Sequence, residues 1–349
     1  MGQDSYTWQE IVSQPQVWRS TLEAFDAQQA ALKAFLAGAG HDQVAVFGCG
    51  STHYLAQAAA ATLGHHTGLL ARPFPSSELL LYPEALPAGK TLLLAVSRSG
   101  KTTETVWALE RFREARGGAA LVVTCHPESL LAQQADYVLA ATAAQERSVA
   151  QTRSFVSMYI LTQALAAALA GDAEALARLH RIPDVLEELI SRLGNLPRQL
   201  GGDRGIERFF FLGMGPFYGL ANEAMLKMKE MTLSYAEAYH PMEFRHGPMS
   251  MVDEHALVVG LLSDTGLSQE IRVLQDMQAL GAQTLAIVDE TSSLAGWRPD
   301  HVIELRSGLG EWERGALLLP PLQRMAYHRA VAKGLNPDRP THLTAVVEL

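Results

Sequence analysis

One order of sequence blocks occurs twice in this chain, with the second copy about 165 residues after the first. Each copy begins with an apolar run, a Gly-x-Gly turn and a helical pattern, and continues with further apolar runs. Three blocks of the first copy have counterparts in the second, in the same order: 43–63 with 208–228, 90–126 with 255–290, and 135–141 with 299–305. Three matches in one order indicate an internal duplication rather than chance.

Apolar runs of about 4–7 residues alternate in each copy with helical patterns of about 12–18 residues. Short, continuous apolar runs are typical of strands buried on both faces, and the alternation predicts parallel βαβ units with helices covering a sheet. We therefore predict an α/β protein with a parallel sheet in each copy. The expected boundaries are a helical segment at 1–40, a first subdomain with connecting helices at 41–195, and a second subdomain with the C-terminal tail at 196–349.

Composition excludes several classes of protein. Hydrophobic residues make up 48% of the chain, which is enough for real cores and excludes disorder as the main state. The formal net charge is −9, from 28 Lys and Arg against 37 Asp and Glu without a basic run, so neither nucleic acid nor an anionic membrane is an expected partner. Two cysteines, and a polar N-terminus without the apolar core of a signal peptide, predict a soluble cytoplasmic protein.

The loop after the predicted strand at 92–96 is rich in hydroxyl groups. It leads into a helix and has this sequence: Ser97, Arg98, Ser99, Gly100, Lys101, Thr102. Ligands of open parallel sheets bind outside the carboxyl ends of the strands, and hydroxyls together with helix N-terminal amides suit a phosphate. Hydroxyl residues also cap helices, but this loop holds more of them than a cap needs. The second copy has Asp264 where an anion would lie, so only the first copy is predicted to bind phosphate.

One nucleotide-binding pattern overlaps this loop and another overlaps the Gly-x-Gly turn of the first copy, and both patterns are weak. Residues 95–102 match a permissive Walker A pattern, but Ala95 lies inside the apolar strand rather than at the start of the loop. The pair Gly48-x-Gly50 lacks the third glycine of a dinucleotide fingerprint, because His53 stands at that position. An NTPase is therefore a minor alternative.

A second candidate region lies in the second copy, where ionisable residues stand among apolar ones. Lys227 and Glu230 share a helix face with Glu223, and His246 precedes a Gly-Pro pair in a predicted turn. A carboxylate with a nearby imidazole is suited to moving a proton between adjacent carbons of a sugar and to opening its ring. An exposed salt-bridge ladder with an exposed turn histidine remains the alternative interpretation.

These residues resemble the motifs of the SIS (sugar isomerase) family, and the resemblance covers nearly the whole chain. It extends to the isomerase domain of glucosamine-6-phosphate synthase and to related amino-sugar-phosphate deaminase/isomerases. Its motifs are 48–52, 97–102, 148–153 and the block from Leu226 to Pro248. The resemblance implies two tandem flavodoxin-like SIS subdomains, each with a parallel five-stranded sheet flanked by helices.

For the site, the resemblance implies a sugar 6-phosphate held by Ser97, Ser99 and Thr102, with no cofactor and no metal. Glu230 matches the family's base for proton transfer between C1 and C2, and Lys227 matches a supporting lysine beside it. His246 matches the ring-opening histidine that enters from the neighbouring subunit, so a homodimer is expected. The further substrate-binding residues that the resemblance implies are Cys49, Gly50, Ser51, Thr52, Arg98, Val149, Ala150 and Gln151.

The chain departs from the synthase pattern at three points. No glutamine-hydrolysing domain with an N-terminal cysteine nucleophile is expected, Gln151 replaces a small serine, and Ala345 stands where the synthase has the tail lysine that captures the ketose. We therefore predict glutamine-independent deamination or aldose–ketose isomerisation of an amino-sugar 6-phosphate resembling glucosamine 6-phosphate. Deglycation of a fructosamine 6-phosphate and a non-catalytic phosphosugar-binding regulator are the alternatives.

Overall fold

Each copy of the repeated sequence folds around a parallel five-stranded sheet in the computed structural model, which describes residues 5–86 and 88–346. The strands of the first sheet are β1 (Gln43–Gly48), β2 (Leu70–Pro75), β3 (Thr91–Ser97), β4 (Ala119–Thr124) and β5 (Tyr137–Ala140). Those of the second sheet are β6 (Arg208–Leu212), β7 (Tyr235–Tyr239), β8 (Ala256–Leu261), β9 (Gln283–Val288) and β10 (His301–Glu304).

The two sheets have the same strand order. The first runs β2-β1-β3-β4-β5, and the second runs β7-β6-β8-β9-β10, with every recorded pairing parallel. This agreement confirms the predicted α/β class and the duplication. Strands β1, β3 and β8 are buried along their whole length, as expected for continuous apolar runs between helices.

Helices pack against both sheets. Those of the first half are α1 (Tyr6–Val12), α2 (Gln14–Asp26), α3 (Gln29–Ala39), α4 (Ser51–Thr67), α5 (Ser76–Leu81), α6 (Thr103–Arg116), α7 (Leu130–Gln133), α8 (Arg153–Ala170), α9 (Ala173–Leu179) and α10 (Ile182–Arg192). Those that follow are α11 (Leu196–Gly202), α12 (Pro216–Thr232), α13 (Pro241–Phe244), α14 (Leu267–Ala279), α15 (Glu311–Arg314) and α16 (Leu319–Ala332). Short 3-10 turns lie at Pro83–Ala85, Thr142–Ala144, Pro248–Met251, Thr291–Leu294 and Gly315–Leu318.

The contacts of the chain divide it into two units, which do not follow the chain order throughout. The first unit holds the first sheet and comprises 13–147, 151–183 and the tail from 344. The second unit holds the second sheet, α1, residues 148–150 and residues 184–343.

Helix α1 and residues 148–150 are tied into the second unit by two carboxylates. Glu10 accepts hydrogen bonds from the amide of Ser148 at 3.3 Å and from its hydroxyl. Asp338 accepts from the amide of Thr7 at 2.8 Å and from its hydroxyl at 2.7 Å, and its carbonyl accepts from the amide of Val149 at 3.1 Å. These bonds join segments more than a hundred residues apart.

Helix α8 is, in the described part of the chain, the one helix long and apolar enough to cross a membrane. Of its residues, 78% are buried inside the protein. This burial is what the core helix of a soluble domain shows, since such a helix satisfies the same length and composition test.

Candidate functional site

The first sheet has its crevice beside β1 and β3. The strand order reverses direction between these two neighbours, and ligands of open α/β sheets bind outside the carboxyl ends of the strands at such a point. The loop between β1 and α4 and the loop between β3 and α6 both lie at this edge. Each carries residues predicted from the sequence to bind substrate.

The loop after β1 is a tight turn held by Thr52. The hydroxyl of Thr52 donates to the carbonyl of Cys49 at 2.9 Å and accepts from its amide at 3.0 Å. A Cβ on Gly48 would lie 2.5 Å from that hydroxyl oxygen, and Gly50 has a φ of +56°. Glycine is therefore needed at both positions, and Ser51 begins α4.

Cys49 contributes a half-buried thiol to this loop. Its Sγ lies 3.7 Å from a carboxylate oxygen of Glu104 and 3.4 Å from the hydroxyl of Thr105. Burial raises the pKa of the Cys49 thiol, and the neighbouring carboxylate raises it further. The thiol donates a hydrogen bond and helps to hold the loop against α6.

The loop after β3 leaves hydrogen-bond donors open. The hydroxyl of Ser97 accepts from the amide of Gly100 at 3.1 Å, and that of Ser99 accepts from the amide of Lys101 at 3.2 Å. Within residues 5–86 and 88–346, the amides and hydroxyl protons of Ser99 and Thr102 have no acceptor. Amides and hydroxyls without acceptors beside the first turn of α6 suit a phosphate.

Gly100 gives this loop its shape. Its φ is +61°, and a Cβ there would lie 1.9 Å from the hydroxyl oxygen of Ser129. Any other residue at this position would combine backbone strain with a collision.

Arg98 is anchored by partners within the first unit. Its guanidinium lies 3.4 Å from the carboxylate of Glu146 and donates to the carbonyl of Ala345 at 3.1 Å. Glu146 has a fully buried side chain and caps the start of α8 by accepting from the amide and the hydroxyl of Thr152, each at 2.7 Å. The main-chain carbonyl of Ala345 thus contacts this loop through Arg98. Lys101 is exposed.

Residues 149–151 pass from one unit to the other. Val149 and Ala150 belong to the second unit, where the Asp338 carbonyl holds the Val149 amide. Gln151 belongs to the first unit, and its side-chain oxygen is buried with no hydrogen-bond partner in the described residues. A buried amide oxygen without a donor is costly, so this atom is a candidate acceptor for a ligand hydroxyl or amine.

The predicted base lies on α12 in the second unit. Lys227 is 1% exposed, its ammonium lies 3.4 Å from a carboxylate oxygen of Glu223, and it donates to the carboxylate of Glu230. Glu223 is fully buried, whereas Glu230 is half-buried. The alternative of an exposed salt-bridge ladder is therefore wrong, and Glu230 is a carboxylate held in place by a buried cation.

His246 lies apart from this ion pair. It follows α13 in a turn in which Gly247 has a φ of +126°, and its side chain is exposed. In the described part of the chain its imidazole makes no hydrogen bond or ion pair, with Glu230 or with any other residue. An exposed imidazole of this kind is accessible to other molecules.

Several residues that pair with the candidate site residues were not predicted from the sequence. They are Glu223, which pairs with Lys227, Glu146, which pairs with Arg98, and Glu10 and Asp338, which position residues 148–149. Only Glu223 had a signal, because its spacing from Lys227 places both on one helix face. The others act across more than forty residues of sequence and have no local pattern.

Comparison with known proteins gives a consistent result. The model of the SIS domain family matches residues 39–168 and 204–332. A curated glutamine–fructose-6-phosphate aminotransferase (isomerizing) of Aeropyrum pernix is 30% identical over 357 residues, which cover 99% of this chain and 57% of that protein. The chain therefore spans a little more than half the length of this relative.

Two solved structures match almost the whole chain. The tagatose-6-phosphate ketose/aldose isomerase of Escherichia coli superposes with a TM-score of 0.88 at 26% identity, covering 99% of this chain and 96% of that one. The glucosamine-6-phosphate deaminase of Thermotoga maritima superposes with a TM-score of 0.81 at 26% identity, covering 99% and 100%.

Proposed function

The chain belongs to the SIS domain family, and we propose that it is an enzyme that deaminates or isomerises an amino-sugar 6-phosphate such as glucosamine 6-phosphate, without glutamine. The observation that carries the proposal is the half-buried carboxylate of Glu230, held by the buried ammonium of Lys227. A fixed carboxylate of this kind is suited to shuttling one proton between two adjacent carbons. The names of the similar isomerase and deaminase support the same chemistry.

Phosphate binding would use the first unit. The open amides and hydroxyls of Ser99 and Thr102 supply donors, and Ser97 holds the turn through Gly100. Arg98 and Lys101 add positive charge near the loop in a chain whose net charge is −9. Cys49, Gly50, Ser51 and Thr52 would line the sugar side, with Val149, Ala150 and Gln151.

The chemical steps follow from the proposed base. His246 of a neighbouring copy opens the sugar ring, which leaves an aldehyde at C1 and an amine at C2. Glu230 takes the C2 proton and returns it to C1, while one proton passes from the amine nitrogen to O1. These transfers convert the amino aldehyde into a C2 imine with a hydroxyl group at C1. Water adds to C2 and ammonia leaves, so the product is a ketose 6-phosphate. Lys227 holds Glu230 in position throughout.

A sugar-phosphate panel tests the reaction. Pure protein is incubated with glucosamine 6-phosphate and related phosphosugars, and ammonia and ketose are both measured. We expect ammonia with glucosamine 6-phosphate and its loss in Glu230→Gln, with Glu254→Ala, an exposed glutamate of the same unit, as the control. Ketose without ammonia would instead indicate an aldose–ketose isomerase, and binding without any turnover would indicate a regulator.

We further propose a cytoplasmic homodimer in which His246 completes the partner's site. Glu230→Gln and His246→Asn are each expected to be inactive. Mixed and refolded together in equal amounts, they should recover about a quarter of the wild-type activity, because half of the dimers are mixed and each mixed dimer has one intact site of two. No recovery in the mixture would mean that both residues serve one chain.

A further inference from the structure

The loop after β8 in the second unit repeats one hydrogen bond of the proposed phosphate loop. Ser263, Thr265 and Gly266 stand where the first copy has Ser97, Ser99 and Gly100. The hydroxyl of Ser263 accepts from the amide of Gly266 at 2.9 Å, as that of Ser97 accepts from Gly100 at 3.1 Å. This contact is kept although the backbone differs, since Gly100 has a φ of +61° and Gly266 has a φ of −95°. We call the loop at 97–102 the first cradle and the loop at 263–266 the second cradle.

The second cradle is filled by a side chain of the protein. One carboxylate oxygen of Glu311 accepts from the amides of Asp264 and Thr265, at 2.6 Å and 3.0 Å. The other accepts from the hydroxyl of Thr265 at 2.7 Å. Glu311 is 6% exposed. In the first copy the matching donors of Ser99 have no acceptor in the described residues.

The two cradles differ in which member of the neighbouring ion pair is the more exposed one. Beside the first, Arg98 pairs with Glu146 at 3.4 Å, whereas beside the second, Asp264 pairs with Arg314 at 2.6 Å. Glu270, which is 1% exposed, adds a further carboxyl that accepts from the amide of Ser263 at 2.8 Å and from its hydroxyl at 3.0 Å. The more exposed side chain of the pair is Arg98 at the first cradle, at 10%, and Asp264 at the second, at 58%. An incoming dianion would therefore first encounter a guanidinium at the first cradle and a carboxylate at the second.

We propose that the second cradle is an anion site that the chain occupies with its own Glu311. As a consequence each chain binds one phosphosugar, in the first copy only. The cradle takes a carboxylate because its donors match that group in geometry, and three hydrogen bonds to one ionised carboxylate make the contact strong. The count of one phosphosugar per chain rests on the proposed function, whereas the role of Glu311 does not.

Chemical rescue tests the role of Glu311. Glu311→Ala removes a group that acetate resembles, so acetate is the probe. We expect Glu311→Ala to melt several degrees below wild type in chloride. Acetate at equal ionic strength should raise that melting temperature, and it should not raise that of wild type or of Glu254→Ala. A folded Glu311→Ala protein that acetate stabilises no more than chloride does would overturn the proposal.

Two further measurements test the role of Glu311 if Glu311→Ala does not fold in chloride. If Glu311→Ala does not fold in chloride, recovery of folded protein only in acetate supports the proposal. If it folds in neither salt, Glu311→Gln decides: its neutral amide accepts more weakly, so a melting temperature below wild type is expected, and an unchanged one overturns the proposal.

Titration of the wild-type protein with glucosamine 6-phosphate counts the sites. One molecule per chain is expected, and two would show that Glu311 does not close the second cradle. If the wild type binds none, the proposed function fails while the acetate experiment still tests Glu311. The two failures are therefore distinguishable.

Discussion

The ammonium group of Lys227 lies 3.4 Å from a carboxylate oxygen of Glu223, and the two side chains are 2% and 0% exposed. The same ammonium donates to Glu230. One buried cation thus compensates a buried carboxylate and orients a half-buried one. The position of Glu230, the proposed base, therefore depends on Lys227, which lies about one turn earlier in α12.

Replacing Lys227 should destabilise the protein strongly. Lys227→Met leaves Glu223 as a buried carboxylate without its cation, and removing one partner of a buried ion pair costs about 3–5 kcal/mol. Urea unfolding measures the free energy of unfolding. The double variant Glu223→Gln/Lys227→Met should lose less than the single variant, because no buried charge remains unpaired. Equal losses in the two variants would show that the pair is not coupled in this way.

Gly100 should tolerate substitution less well than a glycine with similar backbone angles and free space. Gly171 has a φ of +68°, and a Cβ there would have no atom within 4 Å, so Gly171→Ala adds only strain of about 1 kcal/mol. Gly100→Ala adds the collision with Ser129 and must move the loop. We expect a larger loss of unfolding free energy and weaker binding of glucosamine 6-phosphate. Equal losses for both glycines would contradict this.

Glu270 should make stability depend on pH. Burial raises the pKa of the Glu270 carboxyl from 4.5 to about 7, so the folded protein keeps a proton that the unfolded chain releases near pH 4.5. The stabilisation of the folded protein by this retained proton is complete below pH 4.5 and is lost as the pH rises towards 7. A pKa shift of this size corresponds to at most about 3 kcal/mol of unfolding free energy. The free energy of unfolding, measured from pH 4 to 8, should decline less in Glu270→Gln than in wild type. Parallel profiles would argue against the raised pKa.

Asp338 should hold both α1 and residue 149 in place. Its carboxylate accepts from the amide and hydroxyl of Thr7, and its carbonyl accepts from Val149. Asp338→Ala removes the carboxylate, and loss of a helix cap costs about 1–2 kcal/mol. Amide hydrogen exchange should become faster in α1 and also in residues 148–150. Thr7→Val, which keeps the amide donor, should have a smaller effect; unchanged exchange in Asp338→Ala would rule out this role.

The parts of the fold that local patterns control were predictable. The apolar runs became β3 and β8, the repeated blocks became two sheets of one strand order, and Gly100 lies in the turn where its sequence context placed it. Strand periodicity, turn chemistry and strand–helix alternation all act over a few residues. A single sequence displays them directly.

Other features depend on which distant segments meet. The sequence alone determined the duplication, the α/β class and the hydroxyl-rich loop, because each depends on neighbouring residues. Only the tertiary structure decided that Lys227 is buried between two carboxylates, that Asp338 holds Val149, and that Glu311 lies in the second cradle. The burial of Lys227 and the compensation of its charge arise from tertiary packing. The contacts of Glu311 and Asp338 span 46 to 331 residues of sequence, and no spacing along the chain encodes them.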